Sequence, residues 1–418
     1  MVMAKLIIIG SGDISFRGYI LKEIHHAGVE IILVTENRIS WEKEFVDEYY
    51  ELSLEKNNLE DVIKSLKRIK ADGIFTYMEP LIEITATLAK ALGLNFISES
   101  SSHKVRDKYL MRKCFVDANM NVPKFKRCRD ISEIESAIQS VGFPCVIKPV
   151  KGFSSINILK VRSEEDLDVI PVLLRNGLDE MGIESEYLVE EYISGKEISI
   201  EGILQGKKFI RLGITEKFKT LEPYFEELGH IEPLNLDPAL EDIIENEILK
   251  GVNELGLQNC AVHAELRIEK GVPYVIEIGA RLGGDKIPFL VEKSSGICMS
   301  VLTAKVALNL EIETNNFLDR NSLQYAAIGF FIPKNKGIIS GLPDKNYLKE
   351  KDNGIIEFEF WNKIGDEVSL PPNNFFTRLG YVLVCSYSRD NVIKKINAVI
   401  DDVSDKIGIK LCTLNEYG

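Results

Sequence analysis

Two glutamates and one arginine near residue 270 have the types and spacing to do chemistry together. Glu265 and Glu277 lie in apolar, strand-like segments joined by the sequence Glu-Lys-Gly-Val, which favours a hairpin turn. Strand pairing would bring the two carboxylates together, which is costly unless a cation lies between them. Arg281 follows, and its planar fork suits a carboxylate or a developing oxyanion. The segment predicts a site for Mg²⁺ carried by phosphates; an exposed hairpin with two solvated glutamates is the alternative.

A second segment has the features of a phosphate-binding strand and loop. Lys148 lies near the end of an apolar β-like run, and a small-residue loop follows over residues 151–155. Backbone N–H groups and hydroxyls in such a loop, among them those of Ser154 and Ser155, can lie over phosphates. The alternative is an ordinary hairpin turn beside a surface lysine.

A third segment, residues 187–201, contains two strand-like runs joined by a Ser-Gly turn. The sequence Glu-Glu-Tyr-Ile closes the first run and includes Glu190, Glu191 and Ile193. The second run contains Glu197 and alternates with a period of two at Ile198 and Ile200, as a strand does.

These segments follow one another in the order found in the ATP-grasp superfamily, which the sequence resembles. The shared landmarks extend over about half of the chain. They are Lys108, Lys148, the loop, the Glu-Glu-Tyr-Ile hinge, Glu197, the carboxylate pair and Arg281. Each landmark alone is a weak pattern, but the complete ordered set is a strong signal. The resemblance implies an ATP-grasp fold, with ATP as a substrate and Mg²⁺, or alternatively Mn²⁺, as the metal.

Within the superfamily, the sequence resembles the L-amino-acid ligases of the bacilysin-synthetase type more than other members. One indication is residues 277–285, where Gly279 stands in place of the asparagine of many members and removes a candidate metal ligand. The other is residues 225–233, which are similar to the substrate-side histidine loop of those ligases and contain His230.

The resemblance assigns roles in binding the phosphates and the metal. Lys108 and Lys148 are expected to contact the ATP phosphates as point charges. Ser154 and Ser155 are expected on the loop that closes over those phosphates. The carboxylate pair formed by Glu265 and Glu277 is expected to hold Mg²⁺.

The remaining nucleotide contacts implied by the resemblance concern the base and the sugar. Glu190 would accept a hydrogen bond from the adenine amino group. Backbone groups of Glu191 and Ile193 would bind the edge of the base. Glu197 would bind the ribose hydroxyls, with an exposed strand carboxylate as the alternative.

The residues of the substrate side also follow from the resemblance. Arg281 is the expected catalytic residue for the substrate carboxylate and oxyanion, and His230 is the second, bracing an acyl phosphate as an imidazolium. A loop histidine without a catalytic role is the alternative for His230. The substrate-binding set is Glu227, His230, Arg281, Gly283, Gly284 and Asp285, with Asp285 expected to take an amino group.

The implied reaction has two steps. ATP first activates an amino-acid carboxylate as an acyl phosphate, which gives ADP. The amine of a second amino acid then attacks the acyl phosphate to give a dipeptide and phosphate. A ligase for other carboxylate and amine metabolites is one alternative. A phosphotransferase, in which the phosphorylated product is final, is another, and a non-catalytic nucleotide-binding module is the third.

The elements that position these residues begin with an α/β segment. Residues 4–97 alternate strand-like and helix-like patterns and predict a buried parallel sheet. Gly10 and Gly12 follow the first strand, but the third glycine of a dinucleotide fingerprint is missing, so a tight scaffold turn is favoured. Glu79 follows a strand at the sheet edge where ligands commonly bind, and it is a substrate-side candidate.

The predicted fold class is α/β and α+β: an ATP-grasp fold with an N-terminal parallel-sheet domain and a C-terminal α+β domain. The predicted ranges are 1–100 for the N-terminal domain and 101–315 for the ATP-grasp domain. A small ATP-covering subdomain spans about 123–199 within the latter, and the C-terminal domain spans 316–418.

Composition limits the classes of partner. The 418 residues carry a net charge of −13, which argues against a nucleic-acid partner but not against a single nucleotide site. Seven widely spaced cysteines suggest neither a disulfide framework nor a zinc site. Neither a signal peptide nor a membrane span is expected, so a cytoplasmic protein acting on small molecules is predicted. The superfamily resemblance is compatible with a homodimer.

Overall fold

A parallel sheet forms the N-terminal part of the chain, as the alternating pattern predicts. The computed structural model describes residues 4–55, 58–152, 157–170, 174, 186–220, 225–313, 324–344, 354–371, 374 and 377–416. The first elements are β1 Lys5–Ile9, α1 Ile14–His26, β2 Glu30–Thr35, β3 Glu48–Glu51, α2 Leu59–Leu66, β4 Gly73–Phe75 and α3 Ile82–Leu92. The strand order is β3-β2-β1-β4. Alternate residues of β1 enter two different hydrophobic clusters, so both faces of the sheet are buried.

Two short helices connect this sheet to the next part of the chain. They are α4 Glu99–Arg106 and α5 Lys108–Asp117. The two helices are separated at Asp107. The backbone of Asp107 is extended, and its side chain accepts a hydrogen bond from the Leu110 N–H at 2.9 Å, which caps α5 and starts a new helix.

A small antiparallel sheet follows, within the range predicted for the ATP-covering subdomain. Its elements are β5 Phe125–Cys128, α6 Ile134–Val141, β6 Cys145–Pro149, β7 Leu159–Val161 and β8 Tyr187–Glu191. The strand order is β5-β8-β6-β7. Lys148 lies on β6 and Glu190 on the neighbouring β8, so the small sheet carries one side of the candidate site.

A large antiparallel sheet forms the centre of the molecule. Its first elements are β9 Lys196–Gln205, β10 Lys208–Lys219, β11 Glu227–Glu232, α7 Pro238–Leu255, β12 Cys260–Glu269, β13 Val272–Gly279, α8 Ile287–Ser295 and α9 Met299–Ala307. The last two of these elements, α8 and α9, are separate helices. Gly296 separates them, because its φ of 75° ends α8 in a left-handed cap.

The last part of the chain extends the same sheet. It contains β14 Tyr325–Phe330, β15 Gly337–Ile338, β16 Ile355–Phe360, β17 Glu367–Val368, β18 Gly380–Ser386 and α10 Arg389–Ile407. The strand order among the described residues is β13-β12-β9-β10-β11-β14-β18-β16. The sheet therefore runs across the boundary predicted at residue 315, through the pairing of β11 with β14. The three domain ranges remain predictions.

Across the part of the chain that is described, none of the helices is both long and apolar enough to cross a bilayer.

Candidate functional site

One face of the central sheet carries charged side chains, and the opposite face is apolar. On β12, Glu265 lies opposite Ser199 of β9, with His263 opposite Glu201 and Arg267 opposite Glu197. Residues two apart in a strand share a face, so these polar residues point together. The intervening residues enter the core: Ile198, Ile200, Val262, Ala264 and Leu266. The alternation therefore places the charged side chains together on one face of the sheet.

A β-bulge adds two further residues to this charged face. Glu227 and His230 are three apart, which would put them on opposite faces of a regular strand. The register between β10 and β11 shifts, however, so that Lys217 pairs with His230 and Lys219 pairs with Glu227. The structure therefore corrects the prediction of a histidine loop: His230 lies inside β11 and is fully buried, because β10 and β14 pair with that strand on either side.

The predicted carboxylate pair is brought together across the hairpin. Glu265 and Glu277 are direct partners in the register of β12 and β13. Lys108 contacts the Glu277 carboxylate at 3.0 Å, and Lys217 contacts Glu265. Burial alone would raise the pKa of Glu265, but Lys217 and His263 hold it well below its usual range. Both carboxylates thus already contact protein cations, and their role as metal ligands remains a prediction.

Lys217 is a site residue that the sequence analysis did not identify. Its Nζ lies 3.1 Å from Glu227 and 3.6 Å from Glu197, in addition to its contact with Glu265. Burial lowers the pKa of Lys217, but the three carboxylates outweigh it and raise that pKa well above the ordinary value. The sequence feature that could have indicated it is the spacing of Lys217 and Lys219, two positions apart at the end of a long strand.

The same three carboxylates have the chemistry to hold a divalent cation. One oxygen from each of Glu197, Glu227 and Glu265 lies within 4.8 Å of the other two. The second oxygen of Glu227, Oε2, is buried without a hydrogen-bond partner among the described residues. The oxygen-rich donor set fits Mg²⁺, provided that Lys217 turns from Glu265 to another anion such as a phosphate. Glu265 belongs both to this set and to the predicted Glu265–Glu277 pair, so the site has carboxylate oxygens suited to Mg²⁺ around Glu265.

Lys148 reaches the other side of the site from the small sheet. Its Nζ contacts Glu190, and Arg112 donates to the same carboxylate. Burial lowers the pKa of Lys148 to about 8, although Glu190 acts against this shift. Arg112 also donates to the carbonyl of Ile276 at 2.7 Å, so it joins β8 to β13. Glu190, predicted to bind adenine, is paired with two cations in this structure.

Arg267 is a second residue that sequence reasoning missed, and it contacts the predicted hinge at Ile193. Its Nη1 donates to the carbonyl of Ile193 at 2.8 Å, and its Nε donates to Glu197 at 3.0 Å. Burial raises the pKa of Glu197, but Lys219, Lys217 and Arg267 prevail and hold it at about 2. The carboxylate of Glu191 accepts from the Lys124 N–H at 3.1 Å. Arg267 therefore connects the predicted base-binding and ribose-binding positions.

The predicted phosphate-loop serines, Ser154 and Ser155, lie outside the described residues. Before the loop, the Gly152 carbonyl accepts a hydrogen bond from Lys108 Nζ at 3.2 Å. Lys108 thus connects the start of the loop with Glu277.

Arg281 lies at the edge where the central sheet meets the N-terminal sheet. Its Nε donates to Glu79 at 2.5 Å, and its Nη1 donates to the carbonyl of Leu282 at 2.8 Å. The structure thus places Glu79, a substrate-side candidate, directly beside the predicted catalytic arginine.

The glycine turn after Arg281 connects to distant parts of the chain. The Gly283 carbonyl accepts from Arg17 of α1 at 2.9 Å. Both carboxylate oxygens of Asp285 accept from Arg378, at 2.6 and 2.9 Å, and His230 Nε2 lies 3.2 Å from the same carboxylate. Burial raises the pKa of Asp285, but Arg378 and His230 keep it well below its usual range. Asp285, predicted to take an amino group, already accepts two hydrogen bonds from Arg378.

His263 is a neighbour of the carboxylate pair. Its Nδ1 lies 2.7 Å from Glu201, and its Nε2 lies 3.5 Å from Glu265. Burial lowers the pKa of His263, but Glu201 and Glu265 outweigh it and raise that pKa to about 9. The imidazolium therefore stabilises the ionised form of Glu265.

Comparison with known proteins defines the class. Residues 141–288 match the family described as the ATP-grasp domain, and this part of the chain therefore carries that domain. The matched range includes Lys148, the hinge, the carboxylate pair and Arg281. The superfamily and the fold class predicted from the sequence are confirmed.

The relatives are ligases and synthases. The alanine–anticapsin ligase of Bacillus subtilis (strain 168) is 28% identical over 271 residues, which are 60% of this chain and 57% of that protein. The D-alanine–D-alanine ligase of Clostridium perfringens (strain SM101 / Type A) is 26% identical over 266 residues, covering 61% of this chain and 84% of that protein. The chain therefore spans little more than half the length of the alanine–anticapsin ligase that it matches.

Solved structures share the complete fold. The L-amino acid ligase from Bacillus licheniformis has a TM-score of 0.81 at 23% identity, covering 98% of this chain and 99% of the other. The phosphoribosylglycinamide synthetase from Anaerococcus prevotii has a TM-score of 0.71 at 20% identity, with the same coverage. The predicted likeness to L-amino-acid ligases is thus confirmed for the fold.

Proposed function

We propose that the protein is an ATP-dependent carboxylate–amine ligase that joins two amino acids. The carrying observation is the convergence of two lysines and one arginine on the Glu265–Glu277 pair. Lys108 contacts Glu277 directly, Lys217 contacts Glu265, and Arg281 lies on the turn that follows β13. This combination supports neutralisation of both a phosphoryl group and a substrate carboxylate.

In the first step, Arg281 would bind and orient the carboxylate of the first amino acid. The carboxylate oxygen forms a bond to the γ-phosphorus of ATP while the bond to the β-phosphate oxygen breaks, giving an acyl phosphate and ADP. Lys108, Lys148 and Lys217 would neutralise the phosphates, and each would leave its present carboxylate partner to do so. Glu265 and Glu277 would hold Mg²⁺, which when bound neutralises phosphate charge.

In the second step, the amine of the second amino acid attacks the acyl carbon and phosphate leaves. The amine must lose a proton, and Glu227 Oε2 is a buried acceptor without a partner among the described residues. His230 lies on the same face two ladder positions away and would brace the leaving oxygens. The proposed site of amine binding is therefore the bulged part of β11.

The test is phosphate release from Mg²⁺-ATP against a panel of single amino acids and pairs, with products identified by mass. Phosphate release that requires two amino acids, with a dipeptide mass, supports the proposal. A phosphorylated product formed without an amine would indicate a phosphotransferase. Release only with other carboxylates and amines would indicate a metabolite ligase, the alternative that the shared fold of the phosphoribosylglycinamide synthetase supports. The chain's cytoplasmic location also remains a proposal.

A further inference from the structure

The turn after Arg281 contains two consecutive non-glycine residues in the left-handed backbone region. Asp285 has a φ of 50° and Lys286 has a φ of 60°. The Cβ of an L-residue makes this region unfavourable, and only surrounding contacts can hold two such residues in succession. Something outside the turn must therefore maintain its conformation.

Two ion pairs from the last part of the chain supply those contacts. Arg378 binds both carboxylate oxygens of Asp285, at 2.6 and 2.9 Å. Glu357 of β16 pairs with the ammonium of Lys286. Each left-handed residue thus has its own partner far away in sequence, Arg378 just before β18 and Glu357 on β16.

The two partners are themselves held in place. The Arg378 guanidinium lies 3.9 Å from the centroid of the Phe330 ring. The Glu357 carboxylate accepts a hydrogen bond from the Tyr381 hydroxyl at 3.0 Å. Because β14, β16 and β18 belong to the central sheet, the ion pairs connect the turn to a rigid support.

The conformation of the turn decides where its backbone groups point. The Gly284 carbonyl accepts from the Ile287 N–H at 2.8 Å, and the Gly283 carbonyl accepts from Arg17 at 2.9 Å. A change of φ at Asp285 or Lys286 would redirect these groups. It would also change the path of the chain between Arg281 and α8.

We propose that Arg378 and Glu357 are positioning residues, whose ion pairs hold Asp285 and Lys286 in the left-handed region and thereby orient Arg281 and the Gly283–Gly284 backbone toward the substrate. The conformational part of this inference stands without the proposed function. The kinetic part rests on it.

Glycine substitution provides the kinetic test. Glycine adopts a positive φ without the Cβ penalty, so a glycine at residue 285 needs less support from Arg378. Arg378→Met is expected to raise the KM for the first amino acid and lower kcat/KM by about tenfold. Adding Asp285→Gly to Arg378→Met is expected to recover part of that loss. A double variant no better than Arg378→Met both in kcat/KM and in the hydrogen exchange of residues 279–290 would overturn the proposal, since removal of the Cβ penalty at residue 285 would then have no effect.

The second ion pair permits the same test independently. Glu357→Gln is expected to lower kcat/KM, and adding Lys286→Gly is expected to restore part of it. Arg211→Met is the matched control, because Arg211 also makes a partly buried pair, with Glu241 at 2.7 Å, but contacts none of the turn residues named above. We expect its kcat/KM to be close to that of the parent protein.

Hydrogen–deuterium exchange of peptides covering residues 279–290 gives a measurement that does not depend on activity. Arg378→Met is expected to increase exchange in these peptides. The double variant Arg378→Met with Asp285→Gly is expected to exchange less than Arg378→Met alone. Arg211→Met is expected to leave the exchange unchanged. Unchanged exchange in Arg378→Met would overturn the proposal. If these variants show the expected exchange pattern but the protein has no ligase activity on any substrate, the proposed function is disproved. The role of Arg378 in holding the turn is still supported.

Discussion

Arg281 and Glu79 are 202 positions apart in the sequence, and Arg281 Nε donates a hydrogen bond to the Glu79 carboxylate at 2.5 Å. Arg106 donates to the other oxygen of Glu79 at 2.7 Å. Burial would raise the pKa of Glu79, but the two arginines hold it at about 2. The arginine predicted to bind a substrate carboxylate is thus oriented by a carboxylate from the turn that follows β4. A substrate carboxylate would share Arg281 with Glu79.

The first prediction concerns the stability that this pair provides. We expect Glu79→Gln to lower the free energy of unfolding at pH 7 by about 3 kcal/mol, because it leaves two buried arginines without their counter-charge. Urea-induced unfolding of the two proteins measures the difference. Glu99→Gln, which removes a carboxylate from an exposed pair with Lys90, is the control and should change little.

The pH dependence of that difference has a defined sign. The folded pKa of Glu79, about 2, is below the ordinary value of 4.5. Its stabilisation is therefore fully present above pH 4.5 and is lost as the pH falls from about 4.5 to 2. The parent protein and Glu79→Gln should converge in stability over that range, and a constant difference would contradict this account.

The second prediction concerns Lys148 and the pH dependence of nucleotide binding. Because its pKa is about 8, Lys148 loses its charge as the pH rises from 7 to 9. If it binds phosphates, the affinity for ATP should fall by up to about tenfold per pH unit above pH 8. Calorimetric titration with ATP at a series of pH values measures this affinity. Lys148→Met should bind ATP weakly at every pH, and Lys90→Met, a change at an exposed lysine, is the control. If the ATP affinity of Lys148→Met still declined at alkaline pH as in the parent protein, Lys148 would be excluded as the origin of the decline.

The third prediction concerns the metal. Glu277→Gln should reduce activity by about a hundredfold or more and raise the Mg²⁺ concentration for half-maximal activity, because one anionic ligand is lost. Gly279→Asn should raise activity and lower the Mg²⁺ concentration for half-maximal activity. A Cβ at Gly279 would meet its nearest neighbour, the His263 carbonyl, at 3.7 Å, so the site can accept an asparagine that offers another oxygen. A Mg²⁺ requirement unaffected by either change would remove Glu277 from the metal site.

The fourth prediction contrasts two adjacent glycines. A Cβ at Gly283 would lie 3.0 Å from Glu201 Oε2 and 3.1 Å from His263 Nδ1, whereas a Cβ at Gly284 would meet nothing within 4 Å among the described residues. Gly283→Ala should therefore lower the melting temperature. Gly284→Ala should leave it unchanged but raise the KM for the amino acid, if the open space is where substrate lies. Equal behaviour of the two variants in both measurements would contradict this contrast.

Much of the site followed from local patterns in the sequence. The hairpin between Glu265 and Glu277 was predictable, because a glycine-containing turn between two apolar runs sets the pairing of the strands over a short distance. Lys148 at the end of an apolar strand and the hinge before Glu197 were found in the same way. The comparisons confirm the fold class that these ordered landmarks predicted.

The contacts that orient those residues depended on the tertiary structure. The bulge between β10 and β11 places Glu227 and His230 on one face, and strand periodicity alone predicts the opposite. Arg378 and Glu79 come from elements that only the assembled sheets bring to the turn after Arg281. Local periodicity determines which residue types a strand offers, whereas ion pairs between distant elements depend on register and packing. The sequence by itself therefore determined the chemical groups of this protein, and the tertiary structure decided their partners.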